Sequence, residues 1–100
     1  MKNFRTYQLA VRFYKECRTL PLKGSIKEQM KRASSSIALN LAEGSGRISR
    51  KDQRRFYLIA LGSLRECQAV LHLEIEEDSP ILHTADSLGA SIYRLIQSRE

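Results

Sequence analysis

Apolar residues recur every three to four positions along most of this chain, which is the period of amphipathic α-helices. No stretch alternates apolar and polar residues for the length of a strand, and no Asn-Gly or Asp-Gly pair marks a hairpin turn. A chain of 100 residues is long enough for one domain with a modest core and too short for two. We therefore predict a single all-α domain over residues 1–100.

Breaks in the periodicity define the first two helices. The first opens near Asn3 and ends before Pro21, because proline lacks the N–H group that continues a helix. The second begins at Ser25, whose hydroxyl predicts a capping box with the carboxylate of Glu28. It ends at residues 43–46, where a glycine is expected to adopt the left-handed conformation that terminates a helix.

Capping signals also place the last two helices. Ser49 followed by Asp52 predicts the start of the third helix, and Ser79 followed by Pro80 predicts the start of the fourth. The connections are short, and short connections make consecutive helices antiparallel. The expected architecture is an antiparallel, up-down-up-down four-helix bundle.

Each predicted helix carries one apolar face, and the four faces are expected to form the core. The residues of each face are spaced three or four positions apart, so that they lie on one side of the helix. The faces consist of Phe4, Tyr7, Val11 and Tyr14; Ile26, Met30, Ala33, Ile37 and Leu41; Phe56, Ile59, Ala60, Ser63, Leu64, Cys67, Val70 and Leu71; and Ile81, Ala85, Leu88, Ile92 and Leu95.

The third helix has more apolar residues than one buried face requires, because residues 56–61 are all apolar or aromatic. Tyr57, Leu58 and Leu61 are predicted to point away from the core and to form an interface between copies of the chain. The alternative is that a small bundle buries this helix centrally and leaves Leu58 half-exposed. Gly62, in the middle of the same helix, is predicted to permit close approach of another backbone.

The formal net charge of +6 favours anionic partners, and the charge is unevenly distributed. Residues 1–50 hold 11 basic and 3 acidic side chains, whereas residues 51–100 hold 6 basic and 8 acidic ones. We predict that a basic cluster binds RNA or DNA phosphates in a salt-dependent manner. The alternative is a structural scaffold whose basic face docks an acidic protein. The predicted phosphate-binding residues are Arg47, Arg50, Lys51, Arg54 and Arg55, with Lys27 and Lys31 extending the track.

A polar stripe runs beside the apolar face of the second helix. Arg32, Ser36, Asn40 and Glu43 form it at helical spacing. We predict that Asn40 and Glu43, or Glu66 on the third helix, pair with arginines. Such pairs are expected to fix the register between helices or between subunits.

The sequence offers no pattern typical of catalysis or metal binding. His72 and His83 stand alone, without the Glu-x-x-His pattern of di-metal bundles. Cys17 and Cys67 are far apart and fit buried free thiols better than a metal site or a disulfide framework. We therefore expect no enzymatic activity, no cofactor, no metal and no small-molecule substrate.

The sequence also lacks signals for membrane association and secretion. No apolar run approaches the roughly 20 residues that a membrane span requires. The first residues carry charge, but no apolar segment typical of a secretory signal follows them. The expected location is the cytoplasm.

One motif spans the second and third helices. It contains the run Arg-Ala-Ser-Ser-Ser-Ile-Ala-Leu-Asn-Leu-Ala-Glu-Gly-Ser-Gly-Arg at residues 32–47. Its characteristic positions are Arg32, Ser36, Asn40, Glu43, Gly44 and Arg47, followed by Arg55, Gly62, Ser63 and Glu66. At these positions the chain resembles the four-helix-bundle family named for proteins encoded in intervening sequences of bacterial 23S ribosomal RNA genes. The resemblance covers nearly the whole chain and implies a bundle that assembles into a ring-like homopentamer.

The chain is similar, more distantly, to the accessory variability protein of diversity-generating retroelements. That protein is a basic pentameric barrel that binds nucleic acid and a reverse transcriptase. The two resemblances and the basic cluster lead us to expect a non-enzymatic homo-oligomer that binds RNA or DNA as an accessory to a ribonucleoprotein.

Overall fold

The computed structural model describes residues 4–100, and these residues form four helices and no strand. The helices are α1 (Arg5–Cys17), α2 (Gly24–Ser45), α3 (Arg50–Glu74) and α4 (Pro80–Ser98). Each helix packs against the next along the chain, and α4 packs against α1. The predicted all-α four-helix bundle is confirmed, whereas the predicted helix start at Asn3 lies outside the described residues.

The starts of α3 and α4 follow the predicted capping chemistry. Ser49 is the N-cap of α3, and its hydroxyl accepts a hydrogen bond from the backbone N–H of Asp52 at 3.0 Å. Ser79 is the N-cap of α4, and Pro80 is the first residue of that helix. A proline is well accommodated there, because the first N–H group of a helix has no partner within the helix.

The start of α2 differs from the prediction. Lys23 is the N-cap, no side chain caps the helix, and the predicted capping box of Ser25 and Glu28 is wrong. Gly24 has a φ of +62°, a conformation that glycine adopts without steric cost. The chain therefore turns into the helix before it reaches the serine.

The end of α2 also differs from the prediction. The helix continues through Ser45, and its C-cap, Gly46, has a right-handed φ of −87°, so the prediction of a left-handed glycine is wrong. Gly44 is buried within the helix, where a Cβ atom would lie 2.7 Å from Cε1 of Tyr57. The glycine therefore permits the close approach of the two helices.

The buried face of α1 lies about 100° around the helix from the predicted face, because the buried positions Thr6, Ala10 and Phe13 each come one residue before a predicted position. Apolar side chains occur on both faces, and the small side chains of Thr6 and Ala10 suit the face that packs against the neighbouring helices. Thr6 Oγ1 lies 2.5 Å from Ser91 Oγ on α4. The buried residues are Thr6, Ala10, Phe13 and Cys17, whereas Phe4, Tyr7, Val11 and Tyr14 of the predicted face are half-buried.

The predicted core faces of the other helices are largely confirmed. Ile59 was expected in the core, but its side chain is 42% exposed, and the neighbouring Tyr57 is buried. The predicted residues that are buried are Met30, Ala33, Ile37, Leu41, Ala60, Leu64, Cys67, Val70, Leu71, Ile81, Ala85, Leu88 and Ile92, and those that are half-buried are Ile26, Phe56, Ser63 and Leu95.

Tyr57 belongs to the core, so its predicted place in an exposed interface is wrong. Its ring is 1% exposed, because the absence of a side chain at Gly44 leaves room for it between α2 and α3. Leu58 is 43% exposed, and Leu61 is half-buried against the core. Of the three predicted interface residues, Leu58 therefore presents the largest apolar surface to solvent.

Candidate nucleic-acid interface

Five basic residues meet at the end of the bundle where α2 ends, α3 begins and α4 ends. Arg47 lies in the loop after α2, and the other four occupy the first two turns of α3. Nη2 of Arg50 donates a hydrogen bond to the backbone carbonyl of Ser98, which is the last residue of α4. We call this surface the basic end and define it by Arg47, Arg50, Lys51, Arg54 and Arg55.

Gln53 joins three backbone segments at the basic end. Its Nε2 donates to the carbonyl oxygen of Arg47 at 3.0 Å, and its Oε1 accepts from Nε of Arg99 at 3.0 Å. One amide side chain therefore links the loop after α2, the first turn of α3 and the C-cap of α4. Sequence reasoning missed Gln53, because a glutamine among charged residues carries no signal of its distant partners.

Phe56 supports two arginines of the basic end. The guanidinium carbon of Arg47 lies 4.7 Å from the centre of the Phe56 ring, and that of Arg55 lies 4.4 Å from it. An arginine stacked on an aromatic ring keeps N–H groups available at the edge of its guanidinium plane. The ring thus orients two cations without consuming their capacity to donate hydrogen bonds.

Ion pairs involve three of the five residues. Arg47 contacts Glu43 at 3.1 Å, Arg55 contacts Asp52 at 3.6 Å, and Arg54 contacts Glu100 at 3.7 Å. These pairs are solvent-exposed, so each contributes little to stability and is easily exchanged for another anion. Within residues 4–100, Arg50 and Lys51 form no ion pair, and both side chains are exposed.

Lys27 and Lys31, which were predicted to extend the track, lie at the opposite end of the bundle. They occupy the first turns of α2, whereas the basic end follows its last turn. From Lys27 to Ser45 the helix rises about 27 Å, at about 1.5 Å per residue. The structure therefore does not bring these two lysines together with the basic end.

The predicted polar stripe does contact α3. Glu66 is its centre, because Oε2 of Glu66 accepts a hydrogen bond from Nε2 of Gln29 at 3.1 Å and lies 3.6 Å from Nη2 of Arg32. The hydroxyl groups of Ser36 and Ser63 lie 2.9 Å apart across the same helix pair. The pairing of Glu66 with an arginine is confirmed, and Gln29 is a further partner that the spacing of the stripe did not predict.

Asn40 and Glu43 do not join the helices in the predicted way. Nδ2 of Asn40 donates to the backbone carbonyl of Ser36 at 2.8 Å, and it contacts no arginine among the described residues. Glu43 does pair with an arginine, but that residue is Arg47, which lies one helical turn further along the chain. Gly62 also differs from expectation, because no neighbouring atom lies within 4 Å of the position of its missing Cβ.

The two thiols are structural. Cys17 and Cys67 are both free and buried, as predicted. Burial raises the pKa of Cys17 to about 12, and burial also raises the pKa of Cys67. Both groups therefore stay protonated at neutral pH.

Within residues 4–100, no cluster of three histidine, cysteine or acidic side chains is arranged to hold a metal ion.

Comparison with known proteins relates this chain to one family of proteins and to one solved fold. A family model described as 23S rRNA-intervening sequence protein matches residues 4–93. A crystal structure of a protein of unknown function from the S23 ribosomal protein family of Bacteroides thetaiotaomicron VPI-5482 matches with a TM-score of 0.60 and 22% sequence identity. The match covers 95% of this chain and 91% of that chain. The comparison with curated proteins found no match.

None of the helices within residues 4–100 has the length and hydropathy of a membrane span.

Proposed function

This chain belongs to the family of 23S rRNA-intervening sequence proteins, and from that premise we propose that it is a non-enzymatic, homo-oligomeric bundle that binds RNA or DNA. Its role is that of an accessory to a ribonucleoprotein. The observation that carries the proposal is the basic end, where Phe56 holds Arg47 and Arg55 beside the exposed Arg50 and Lys51.

The chemistry of the basic end suits phosphate groups. Guanidinium groups donate several hydrogen bonds in a plane that matches the oxygen atoms of a phosphate. Phe56 and the backbone contacts of Gln53 hold the surface in place, which lowers the entropic cost of binding. The stacking of Phe56 under two arginines leaves little of its face for a base, so binding is expected to depend on charge more than on sequence.

Self-association is supported by apolar side chains on the outer surface of α2 and α3. The exposed fractions of Leu39, Leu58, Ile59 and Leu73 are 67%, 43%, 42% and 77%. Leu58 and Ile59 are neighbours on α3, and an exposed apolar patch favours contact with another protein surface. We place Leu58 and Leu61 in the interface between copies, and the family resemblance suggests five copies.

A ring would present several basic ends to one nucleic acid. Once one copy holds a strand, the next copy meets it at a high effective concentration, so the assembly binds more tightly than a single copy. The same arrangement sums the electrostatic potential of all copies, which accelerates association at low salt.

The proposal is tested by measuring the affinity for a short single-stranded RNA and for the matching DNA at several salt concentrations. We expect the logarithm of the association constant to fall linearly with that of the salt concentration. The variant Arg50→Gln/Lys51→Gln should reduce the magnitude of this slope by about 1.4, because two phosphates are no longer neutralised and each contributes about 0.7 on a single strand. The matched control is Arg18→Gln/Lys23→Gln, which removes two charges at the opposite end.

The second candidate is a scaffold that docks an acidic protein, and the ion pairs of the basic end favour it. Arg47, Arg54 and Arg55 already contact carboxylates, and an acidic protein offers the same group. Failure to retain either nucleic acid at low salt would reject the nucleic-acid proposal and favour the scaffold. Equal losses of nucleic-acid affinity in the basic-end variant and the control variant would show that binding depends only on the net charge of the chain.

A further inference from the structure

A groove of about 760 Å³ runs between α1 and α4, away from the α2–α3 contact. Arg5 and Arg12 line it from α1, and Arg94 lines it from α4. Ser87 and Ser91 line the same groove, and the Ser91 hydroxyl lies 2.5 Å from that of Thr6. Among residues 4–100, no acidic residue lines the groove, so the polar part of this lining consists of cations and neutral hydrogen-bonding groups.

The cations of the groove are largely available to a ligand. Among residues 4–100, Arg5 and Arg94 form no ion pair, and both side chains are exposed. Arg12 contacts Glu16 at 3.1 Å, on the side of the groove that is remote from the basic end. Facing cations without a carboxylate between them repel each other, and this repulsion is relieved when an anion binds.

The groove is continuous with the basic end. Ser98 lines the groove, and its backbone carbonyl accepts the hydrogen bond from Arg50. From Ser87 to Ser98, α4 rises about 16 Å along the groove, at about 1.5 Å per residue. Arg5 and Arg94 therefore extend the basic surface from the end of the bundle onto its side.

The lining of the groove suits a sugar–phosphate backbone. No aromatic ring of the described part of the chain lines it, so this lining offers no platform on which a base can stack. Arginines and hydroxyl groups are the groups that proteins use to contact phosphates and sugars. The apolar residues Leu9 and Leu95 complete the lining and allow the strand to lie against the protein surface.

We propose that the groove between α1 and α4 continues the nucleic-acid path from the basic end and holds the phosphodiester backbone of the strand. Arg5 and Arg94 contact its phosphates. This inference rests on the proposed function of the basic end and specifies where the bound strand goes. It replaces the predicted extension through Lys27 and Lys31, which lie at the other end of α2.

Site-directed crosslinking tests the path directly. The native thiols are buried, so a cysteine introduced on the surface can be labelled selectively with a benzophenone. We expect Ser87→Cys to crosslink an end-labelled single-stranded RNA in the groove. Ser25→Cys is the matched control, because it is also an exposed serine but lies at the start of α2. Crosslinking at Ser87→Cys should exceed that at Ser25→Cys at least several-fold.

Affinity measurements provide the second arm. Arg5→Gln/Arg94→Gln should reduce the magnitude of the slope of affinity against salt by about 1.4 for a single strand, while Arg18→Gln/Lys23→Gln should leave it unchanged. Competition with inorganic phosphate distinguishes a site for one free phosphate from a site for a strand. Phosphate is added at concentrations that leave the ionic strength nearly constant. A site for a single phosphate would be saturated and the RNA crosslink would be lost, whereas a strand site would keep the crosslink.

The outcomes separate this inference from the proposed function. If Arg50→Gln/Lys51→Gln weakens binding but Ser87→Cys crosslinks no more than Ser25→Cys, the basic end binds nucleic acid and the groove inference is overturned. Loss of the crosslink to low concentrations of phosphate overturns it as well. If the unaltered chain retains no nucleic acid, the proposed function fails and the groove inference fails with it.

Discussion

Gly44 shows how one missing side chain can set the spacing of two helices. A Cβ atom at this position would lie 2.7 Å from Cε1 and 3.0 Å from Cδ1 of Tyr57, and 3.1 Å from Cβ of Phe56. The Tyr57 ring cannot easily move, because it is 1% exposed and Arg99 lies over it at 5.6 Å. The glycine therefore determines how Phe56, the support of the basic end, is placed.

We expect Gly44→Ala to destabilise the chain. Overpacking costs about 1–3 kcal/mol, and the higher helix propensity of alanine returns only up to about 1 kcal/mol. Gly62→Ala is the matched control, since among residues 4–100 only atoms of its own helix backbone and chain neighbours lie close to its Cβ position, and it should stabilise the chain by about 0.5–1 kcal/mol. Urea unfolding measures the free energy of unfolding of both variants. Repeating it at two protein concentrations separates the stability of the chain from the contribution of assembly, because only the latter depends on concentration. Equal effects of the two substitutions would contradict this explanation.

The two glycines also define a limit of sequence reasoning. Gly44 and Gly62 are both glycines within helices, and helical spacing alone cannot tell which one meets a neighbour. The position of Gly62 in the middle of a helix favoured it for the close approach, whereas the structure assigns that role to Gly44. The distinction depends on how each helix is rotated, which is decided by the packing of all four helices together.

At the scale of the helices, local signals predicted the starts of α3 and α4 better than the start of α2. Ser49 and Ser79 are N-caps as predicted, because capping depends on residues that are neighbours in sequence. Ser25 carries an equivalent pattern with Glu28, yet the positive φ of Gly24 starts the helix earlier. At α2, the glycine that precedes the capping pattern therefore marks the start of the helix, and the pattern itself does not.

Paired substitutions test this difference between the two capping patterns. We expect Ser49→Ala to destabilise the chain by about 1 kcal/mol, because it removes the hydrogen bond accepted from the N–H of Asp52. Ser25→Ala should change the free energy of unfolding by less than about 0.5 kcal/mol, because no side chain caps α2. Thermal or urea unfolding measures the change in the free energy of unfolding for each variant. A large loss in Ser25→Ala would show that its hydroxyl caps the helix in solution.

At the scale of the whole molecule, the sequence predicted the fold class, the basic cluster and most of the core. The groove could not be predicted, because Arg5 and Arg94 are separated by most of the chain and meet only through the packing of α1 on α4. Lys27 and Lys31 illustrate the converse, since they belong to the same basic half of the sequence but lie far from the basic end. Charge in the sequence predicts a partner class, and the topology determines which charges act together.

Assembly is the last property that belongs to the whole molecule. Leu58 is 43% exposed on α3, next to Ile59 at 42%, although the fold has a complete core without them. We expect the unaltered chain to elute as a homo-oligomer in size-exclusion chromatography with light scattering. Leu58→Glu should shift the mass towards that of one 11.5-kDa chain, because a charge in an apolar interface is costly to bury.

The control for this shift is Ala90→Glu, which adds the same charge at an exposed position on α4. It should leave the mass unchanged, and both variants should keep the helical circular dichroism of the unaltered chain. A monomeric Leu58→Gln variant tests the benefit of assembly for binding, because it keeps every residue of the basic end and, unlike glutamate, adds no negative charge one turn from Arg54 and Arg55. We expect it to bind RNA more weakly than the oligomer, since each copy then acts alone. A monomeric unaltered chain would contradict the proposed interface and leave nucleic-acid binding to a single basic end.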